Sequence, residues 1–306
     1  MNVNKMFTTI DTHVAGEAIR IIVHSPIMLN EQSIELNQAL IEEKYAREKA
    51  LLLNEPRGHR GMNGCIVLPS NKADFACVFV HHERDVQFMY GGLVATVTAL
   101  LETGNLAKHD NNVYQIETAG GVQSVYASFE NQEVQTVLVE SDACRIIETT
   151  EEYSLVEVDH ARNYLIYEKP ESILGIEMEY LAPIQKWGKQ TTESLGKNGV
   201  SFAGIIMIDS ADSHGSNVRS VTFERDGSIL RSPGMDSTFS IFAALLDQSD
   251  TLTQLTNQSI FDSTLTARLI EGASCQFSIE TQAFITGVHQ FIYDQEDPLE
   301  HGFLLK

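Results

Sequence analysis

Two apolar helices, each preceded by a turn that contains glycine, are the clearest hydrophobic pattern in this chain. The segment FMYGG at residues 88–92 runs into the apolar stretch 93–101, and RSPGMDS at 231–237 runs into the apolar stretch 238–246. Short apolar strands separated by polar turns fill most of the remaining chain. An apolar helix is buried most easily when strands wrap around it. The pattern therefore predicts two similar halves, each with several strands around one central helix.

Polar and β-rich segments complete this organisation. A polar, periodic helix with a break inside it is predicted over residues 30–53. A second helix is predicted from Glu171 up to Pro183, because proline ends or kinks a helix. The tail, residues 276–303, alternates like further strands.

The charge balance excludes several classes of protein. The 306 residues include 42 acidic and 21 basic side chains, which gives a net charge of −21. Such a field repels phosphates, so we expect neither nucleic-acid binding nor binding to an anionic membrane. The N-terminus lacks a signal-peptide pattern, and no apolar run approaches the ~20 residues that span a bilayer. The four cysteines show no CxxC spacing. We therefore expect a reduced, cytoplasmic protein.

The two glycine turns are candidate ligand sites. A helix N-terminus offers free N–H groups and the positive end of a dipole, which together can hold a carboxylate. Two such turns facing each other would form a small-anion site between the halves. The glycines show neither GxGxxG nor P-loop spacing, so nucleotide binding is not expected. In the segment His81-His82-Glu83, adjacent histidines on a strand would point to opposite faces, so no metal is expected.

Five sequence blocks carry a family resemblance. Residues 11–20 (DTHVAGEAIR) and 55–64 (EPRGHRGMNG) are followed by ETAGG at 117–121, RSP at 231–233, and DP with GF in the segment 297–303. These blocks resemble the proline racemase family, which also includes hydroxyproline 2-epimerases and trans-3-hydroxyproline dehydratases. The resemblance spans nearly the whole chain, and the E-P-R-G-H block is the most specific part of it.

The resemblance implies an α/β (α+β) fold like that of diaminopimelate epimerase, in which each half has a curved sheet around a central helix. We predict a first half-domain over residues 1–130, to which residues 284–306 return, and a second over residues 131–283. The resemblance also implies chemistry without a cofactor: one cysteine on each turn removes or returns a proton at the α-carbon of a small amino or imino acid. The substrate carboxylate would bind the N–H groups of the turns. The predicted substrate-binding residues are Gly91, Gly92, Gly234, Met235, Ser237 and His59.

The chain departs from the family at the tips of both turns. Tyr90 stands where the first cysteine is expected, and Gly92 where a histidine is expected. Gly234 replaces the second cysteine, and Leu230 replaces an aspartate. On this alignment the ordinary two-thiol racemisation is excluded.

Tyr90 and Asp236 are the candidate catalytic residues, each with a structural alternative. The Tyr90 phenol could act as acid or base, although its reference pKa near 10 opposes this; alternatively, its ring fills volume left by the missing histidine. Asp236 could donate a proton, or it could be the N-cap of the second helix.

Charged residues of the family blocks have two interpretations as well. His13, Glu17, Arg20, Arg57 and His59 could serve the site or form a buried ionic framework beneath it. His214 and Arg219 are possible rim contacts.

Two main functions remain open from the sequence, beside a third possibility in which the chain is a structural partner for an active relative in a mixed dimer. The first is a cofactor-independent isomerase or lyase that acts at the α-carbon of a small amino or imino acid. The alternative is a catalytically inactive paralogue that binds a small ligand or regulates a partner. We allow for a homodimer in either case.

Overall fold

The computed structural model describes residues 3–82, 88–159, 162–210, 216–248 and 251–305. Its contacts divide the chain into two compact units: unit 1 is Met1–Val139 with Thr281–Lys306, and unit 2 is Glu140–Glu280. The predicted boundary after residue 130 falls at a hairpin turn, whereas the boundary between the units falls at the last residue of the second strand of that hairpin. No helix within the described ranges is long and apolar enough to cross a membrane.

The helices are α1 (Ile34–Lys44), α2 (Ala46–Leu53), α3 (Tyr90–Glu102), α4 (Leu181–Lys197) and α5 (Met235–Gln248). The strands of unit 1 are β1 (Val3–Val14), β2 (Glu17–His24), β3 (Met62–Leu68), β4 (Phe75–Val80), β5 (Val113–Thr118), β6 (Gly121–Glu130), β7 (Glu133–Glu140) and β16 (Ala283–Asp294). Those of unit 2 are β8 (Arg145–Thr149), β9 (Ser154–Asp159), β10 (Arg162–Glu168), β11 (Gly204–Ser210), β12 (Asn217–Glu224), β13 (Gln254–Ser259), β14 (Thr264–Leu269) and β15 (Phe277–Thr281).

Unit 1 is a curled sheet around α3. Its strand order is β16-β1-β2-β3-β4-β5-β6-β7, with parallel pairing only between β2 and β3 and between β4 and β5 among the described strands. Residues 90–101 of α3 are all buried, and the helix contacts β1, β2, β3, β6 and β16. This burial on every side explains why α3 is apolar all round. The other face of the sheet packs against α1 and α2.

Unit 2 repeats this arrangement with α5 at its centre. Its strand order is β15-β14-β13-β12-β11-β10-β9-β8. The helix α5 contacts β8, β9, β10, β13 and β14. On the outer face, α4 packs on β12, where Gly188 leaves room for the Phe223 ring. The predicted architecture of strands around a central helix is therefore confirmed for each unit.

The helix predicted from Glu171 is wrong in position. The helix α4 begins at Leu181 and runs to Lys197, so Pro183 lies in its first turn. Proline is tolerated there because the first N–H groups of a helix have no partner within the helix. The helix predicted over residues 30–53 is observed as α1 and α2, with the break at Tyr45.

Candidate functional site

The turn of unit 1 is apolar. The helix α3 begins at Tyr90 after the extended residue Met89, and among the described residues no side chain caps it. Only 2% of the Tyr90 surface is exposed. Its ring packs edge-on against Phe88, with centroids 4.7 Å apart, and Phe88 packs edge-on against Phe79 at 5.9 Å. Tyr90 is thus part of an aromatic cluster at the start of the helix.

Gly92 leaves room for a different ring from the one expected. A Cβ atom on Gly92 would overlap the ring of Phe79, on β4. The aromatic side chain that occupies the space beside Gly92 is therefore Phe79 rather than Tyr90. The glycine is explained by this close approach of strand and helix.

A carboxylate of the chain lies beside the first turn of α3. A Cβ atom on Gly91 would lie 3.3 Å from Oε2 of Glu17. The other carboxylate oxygen of Glu17 accepts a hydrogen bond of 2.9 Å from the side-chain amide of Asn63. A negative charge near a helix N-terminus is favourable. The position where we expected a ligand carboxylate thus has a protein carboxylate next to it.

The family block at residues 11–20 forms a buried ion pair in unit 1. Arg20 donates to both carboxylate oxygens of Asp11, at 2.8 and 2.7 Å, and also to the carbonyl oxygen of Leu52. The guanidinium lies 4.2 Å from the centroid of Phe291. His13 stacks on Phe284 at 5.2 Å. For Arg20, the ionic-framework interpretation is the one that the contacts fit.

The E-P-R-G-H block contacts the C-terminal segment, residues 297–303. Arg57 forms an ion pair with Asp297 and donates to the carbonyl oxygen of Leu299 at 3.1 Å. Glu55 and Phe303 exchange two backbone hydrogen bonds of 3.0 and 2.9 Å. Gly302 has φ +64°, and a Cβ there would overlap the carbonyl oxygen of Glu55. The E-P-R-G-H block and the segment 297–303 therefore form one clasp within unit 1.

His59 lies in the loop that follows this clasp. Its carbonyl oxygen accepts the N–H of Met62, at the start of β3, at 2.9 Å. The side chain is half-buried. The backbone turn that joins the clasp to β3 therefore sets the position of His59.

The turn of unit 2 is polar. Gly234 has φ +71°, and a Cβ there would lie 2.7 Å from Cδ2 of Leu230 and 3.0 Å from Oγ of Ser237. The Gly234 N–H donates to Oγ of Ser232 at 3.1 Å, and its carbonyl accepts the Thr238 N–H at 2.9 Å. Both the left-handed backbone and the close neighbours favour glycine at this position.

Buried hydroxyl and amide groups form a hydrogen-bond network with the residues that follow this turn. Thr222 donates to Oγ of Ser237 at 2.8 Å. Asn257 donates to Oγ1 of Thr238 at 3.0 Å and accepts from Oγ of Ser220 at 2.7 Å. These side chains are buried, so their mutual hydrogen bonds satisfy groups that water cannot reach. Met235, the first residue of α5, is 3% exposed.

Asp236 is held by an arginine. It is the second residue of α5, and Gly234 precedes the helix, so the N-cap interpretation of Asp236 is wrong. Its Oδ1 lies 2.8 Å from Nη1 of Arg162, at the start of β10. Arg162 also donates through Nε to Oδ2 of Asp159 at 2.7 Å. The side chains of Asp236 and Arg162 are 18% and 14% exposed.

Burial and charge act in opposite directions on this pair. Burial raises the pKa of the Asp236 carboxyl above its ordinary value, and the nearby charge of Arg162 offsets this only in part. Burial lowers the pKa of the Arg162 guanidinium, but the Asp236 and Asp159 carboxylates outweigh that effect, so the net shift is upward. The arginine therefore stays charged, while the carboxyl takes up a proton more readily than an exposed aspartate.

Three further candidates are His81, His82 and Arg219. The rings of His81 and His82 lie 3.9 Å apart, just beyond the end of β4. The expectation that adjacent histidines point to opposite faces is therefore wrong, because the strand has already ended. Arg219 pairs with Asp262 at 2.7 Å and donates to the carbonyl of Ile176 at 3.0 Å. Glu83 and His214 lie outside the described residues.

A surface pocket in unit 1 contains none of the predicted site residues. It lies at the N-terminus of α1, and its polar side chains include the ion pair of Lys72 with Glu117 at 2.8 Å. Ser70 donates to the same carboxylate at 2.6 Å. These polar groups satisfy one another.

Sequence reasoning missed Arg162, Asn63 and Phe79. Arg162 is a single charged residue at the start of a strand, far along the chain from Asp236. Nothing in its spacing marks it as a partner. For Phe79, the signal was Gly92, since a glycine inside a helix often marks a close approach.

The comparisons with known proteins agree with the family blocks. The family model described as proline racemase matches residues 9–304. The chain is 31% identical over 339 aligned positions to a trans-3-hydroxy-L-proline dehydratase of Bacillus thuringiensis subsp. konkukian, with 100% of both sequences covered. It is 22% identical to a proline racemase of Acetoanaerobium sticklandii, with 99% of each covered.

A solved structure shows the same fold. It is a hydroxyproline epimerase from Agrobacterium vitis with bound trans-4-hydroxy-L-proline, at 21% identity and a TM-score of 0.85. The match covers 100% of this chain and 96% of that one. The two units match each other in architecture, the family blocks contact one another, and the family model covers nearly the whole chain. This chain therefore belongs to the proline racemase family.

Proposed function

We propose that this protein is a cofactor-independent lyase or isomerase that acts at the α-carbon of a proline-like imino acid, with Asp236 as its acid–base group. Family membership supports the substrate class. The proteins named as relatives include a dehydratase, an epimerase and a racemase, all for proline or hydroxyproline. Their shared chemistry begins with removal of the α-proton.

The observation that carries the proposal is the Asp236 carboxyl in the first turn of α5. Its pKa is raised by burial, and a group whose pKa lies closer to neutral exchanges protons more effectively at neutral pH. Nη1 of Arg162 lies 2.8 Å from Oδ1 of Asp236 and places a positive charge beside the carboxyl. Asp236 lies two positions beyond Gly234, where the family resemblance expects a thiol.

A single acid–base group favours elimination over inversion. In dehydration of a 3-hydroxy imino acid, a base takes the α-proton and the C–H electrons form a C2=C3 double bond. The same group then gives that proton to the C3 hydroxyl, which leaves as water. The resulting enamine tautomerises to a cyclic imine. Inversion at the α-carbon needs a second proton donor on the opposite face. We therefore favour a lyase over a racemase.

A second candidate function is ligand binding without chemistry. The observation that favours it is that a protein carboxylate lies at the start of each central helix, Glu17 at α3 and Asp236 at α5. Tyr90, moreover, is almost fully buried. If the Asp236 carboxylate stays paired with Arg162 and accepts no proton from a bound ligand, it supports a binding turn and is not a base.

Proton exchange separates the two functions. We would incubate the protein in D₂O with L-proline, trans-4-hydroxy-L-proline or trans-3-hydroxy-L-proline, and follow the α-proton and any loss of water by NMR. We expect turnover of the 3-hydroxy compound that Asp236→Asn abolishes. The matched control is Asp262→Asn, because Asp262 also pairs with an arginine of unit 2 but is 73% exposed. Tyr90→Phe tests whether the phenol contributes.

The binding function predicts a different outcome. No exchange with any of the three compounds, together with saturable heat of binding in calorimetry, would contradict the enzyme and support the binding paralogue. Exchange that survives Asp236→Asn would remove Asp236 from the mechanism.

A further inference from the structure

Two cysteines that are far apart in sequence meet in unit 2. The N–H of Cys144 donates to the carbonyl oxygen of Cys275 at 2.8 Å. Cys144 immediately precedes β8, and Cys275 lies in the connection between β14 and β15. Residues joined by a direct backbone hydrogen bond have Cα atoms close to the range that a disulfide spans, roughly 4.4–6.8 Å.

The surrounding backbone holds the two cysteines in register. The Ser141 N–H donates to the carbonyl of Phe277 at 2.7 Å, and the Phe277 N–H donates to Oγ of Ser141 at 3.0 Å. The two segments therefore run side by side and in opposite directions from Ser141 to Cys144. The pairing is set by several hydrogen bonds and not by one contact.

Exposure and conformation differ between the two thiols. Cys144 is 5% exposed, whereas Cys275 is only partly buried. Cys275 also has φ +57°, a left-handed conformation that a residue with a side chain rarely adopts. Both thiols are free, and burial raises the pKa of each of them. The accessible member of the pair is thus the one on the strained connection.

We infer that Cys144 and Cys275 are a disulfide-forming site that closes unit 2. The chain enters unit 2 at Glu140 and leaves it at Glu280, so the bond would join the two ends of the unit. It would close a loop of about 130 residues, and a loop of that length restricts the unfolded chain strongly. The oxidised protein is therefore more stable in unit 2 than the reduced one.

The reaction needs a low-molecular-weight disulfide as oxidant. The Cys275 thiolate attacks one sulfur of that disulfide and releases one small thiolate. The Cys144 thiolate then attacks the Cys275 sulfur and releases the second. The two cysteine protons pass to the released thiolates, and two electrons reduce the small disulfide to two thiols.

Peptide mapping tests the site directly. The folded protein is incubated with oxidised glutathione, blocked with N-ethylmaleimide and digested without reduction. We expect one cross-linked peptide pair containing Cys144 and Cys275, which dithiothreitol separates. Cys65 and Cys77 are both fully buried and serve as the internal control, labelled only after denaturation. In Cys144→Ser we expect a mixed disulfide of glutathione on Cys275.

Stability provides the second measurement. Trp187, the only tryptophan in the sequence, lies in α4 of unit 2 and reports its unfolding by fluorescence. Oxidation should raise the urea midpoint of the wild type and leave Cys275→Ser unchanged. The inference is overturned if Cys144 is recovered with the maleimide label while Cys275 carries only glutathione, if Cys144 pairs with another cysteine, or if cross-linking leaves the midpoint unchanged.

Discussion

The turns before α3 and α5 occupy equivalent places in their units but are lined by different kinds of side chain. In unit 1 the turn is lined by the Phe79, Phe88 and Tyr90 rings, and its nearby carboxylate, Glu17, is held by a neutral amide. In unit 2 the turn rests on hydroxyl groups, and its carboxylate, Asp236, is held by a cation. Both turns lack a cysteine.

The absence of the two family cysteines therefore has a different consequence in each unit. In unit 1 the Phe79, Phe88 and Tyr90 rings line the turn, and the carboxylate beside it, Glu17, accepts a hydrogen bond from Asn63. In unit 2 the polar setting is kept, and a carboxyl with a raised pKa stands in the first turn of the helix. If acid–base chemistry survives in this chain, we expect it at the turn of unit 2.

The strongest test of the comparison removes the cation from unit 2. Arg162→Met leaves Asp236 and Asp159 without their shared partner in a largely buried place, and we expect the free energy of unfolding to fall by about 3 kcal/mol. Urea unfolding followed by Trp187 fluorescence measures this. Arg145→Met is the control, because Arg145 pairs with Glu157 at 3.1 Å but is 67% exposed. A loss as small as the control's would show that the pair does not stabilise the turn.

The second test fills the space in unit 1. A methyl group at position 92 overlaps the Phe79 ring, so we expect Gly92→Ala to lower the free energy of unfolding by about 2 kcal/mol. Gly91→Ala is the matched control, because its new methyl would approach the Glu17 carboxylate at 3.3 Å and Cδ1 of Ile19 at an ordinary contact distance of 3.9 Å, without overlap. Urea unfolding followed by circular dichroism measures both.

A second background makes the cause specific. In Phe79→Leu, where the ring is absent, Gly92→Ala should cost clearly less than in the wild type. An equal cost in both backgrounds would contradict the close approach of strand and helix. The same clash predicts that a histidine at position 92 cannot be restored while Phe79 is present.

The smallest expected effect concerns pH. Because the folded-state pKa of Asp236 is raised above its ordinary value of 3.8, the folded protein binds this proton at a pH where the unfolded chain has lost it. Protonation therefore adds stability as the pH falls from neutral towards that value. Relative to Asp236→Asn, the wild type should therefore gain stability between about pH 7 and pH 4. A relative loss over that interval would reverse the assigned direction of the shift.

The sequence predicted the elements whose cause is local. The helices α3 and α5 follow from stretches that are apolar on every side, which only a surrounding sheet can bury. The start of α4 was missed because Pro183 was interpreted as a terminator, although the first turn of a helix accepts proline.

The contacts that define each turn were not predictable, because they join residues without a shared pattern. Arg162 reaches Asp236 from a strand, and Phe79 on β4 reaches Gly92 on α3. Local composition indicates that a glycine allows a close approach or that an aspartate begins a helix. It does not identify the partner, which depends on the completed packing.

The clasp between the E-P-R-G-H block and the end of the chain bears on how family members are recognised. Arg57, Asp297, Glu55 and Phe303 hold two distant segments together, and no step of the proposed chemistry uses them. A search that relies on this block therefore detects a contact that stabilises the fold. An active enzyme and a catalytically inactive relative need that contact equally. Sorting active from inactive members requires the residues that begin the two central helices.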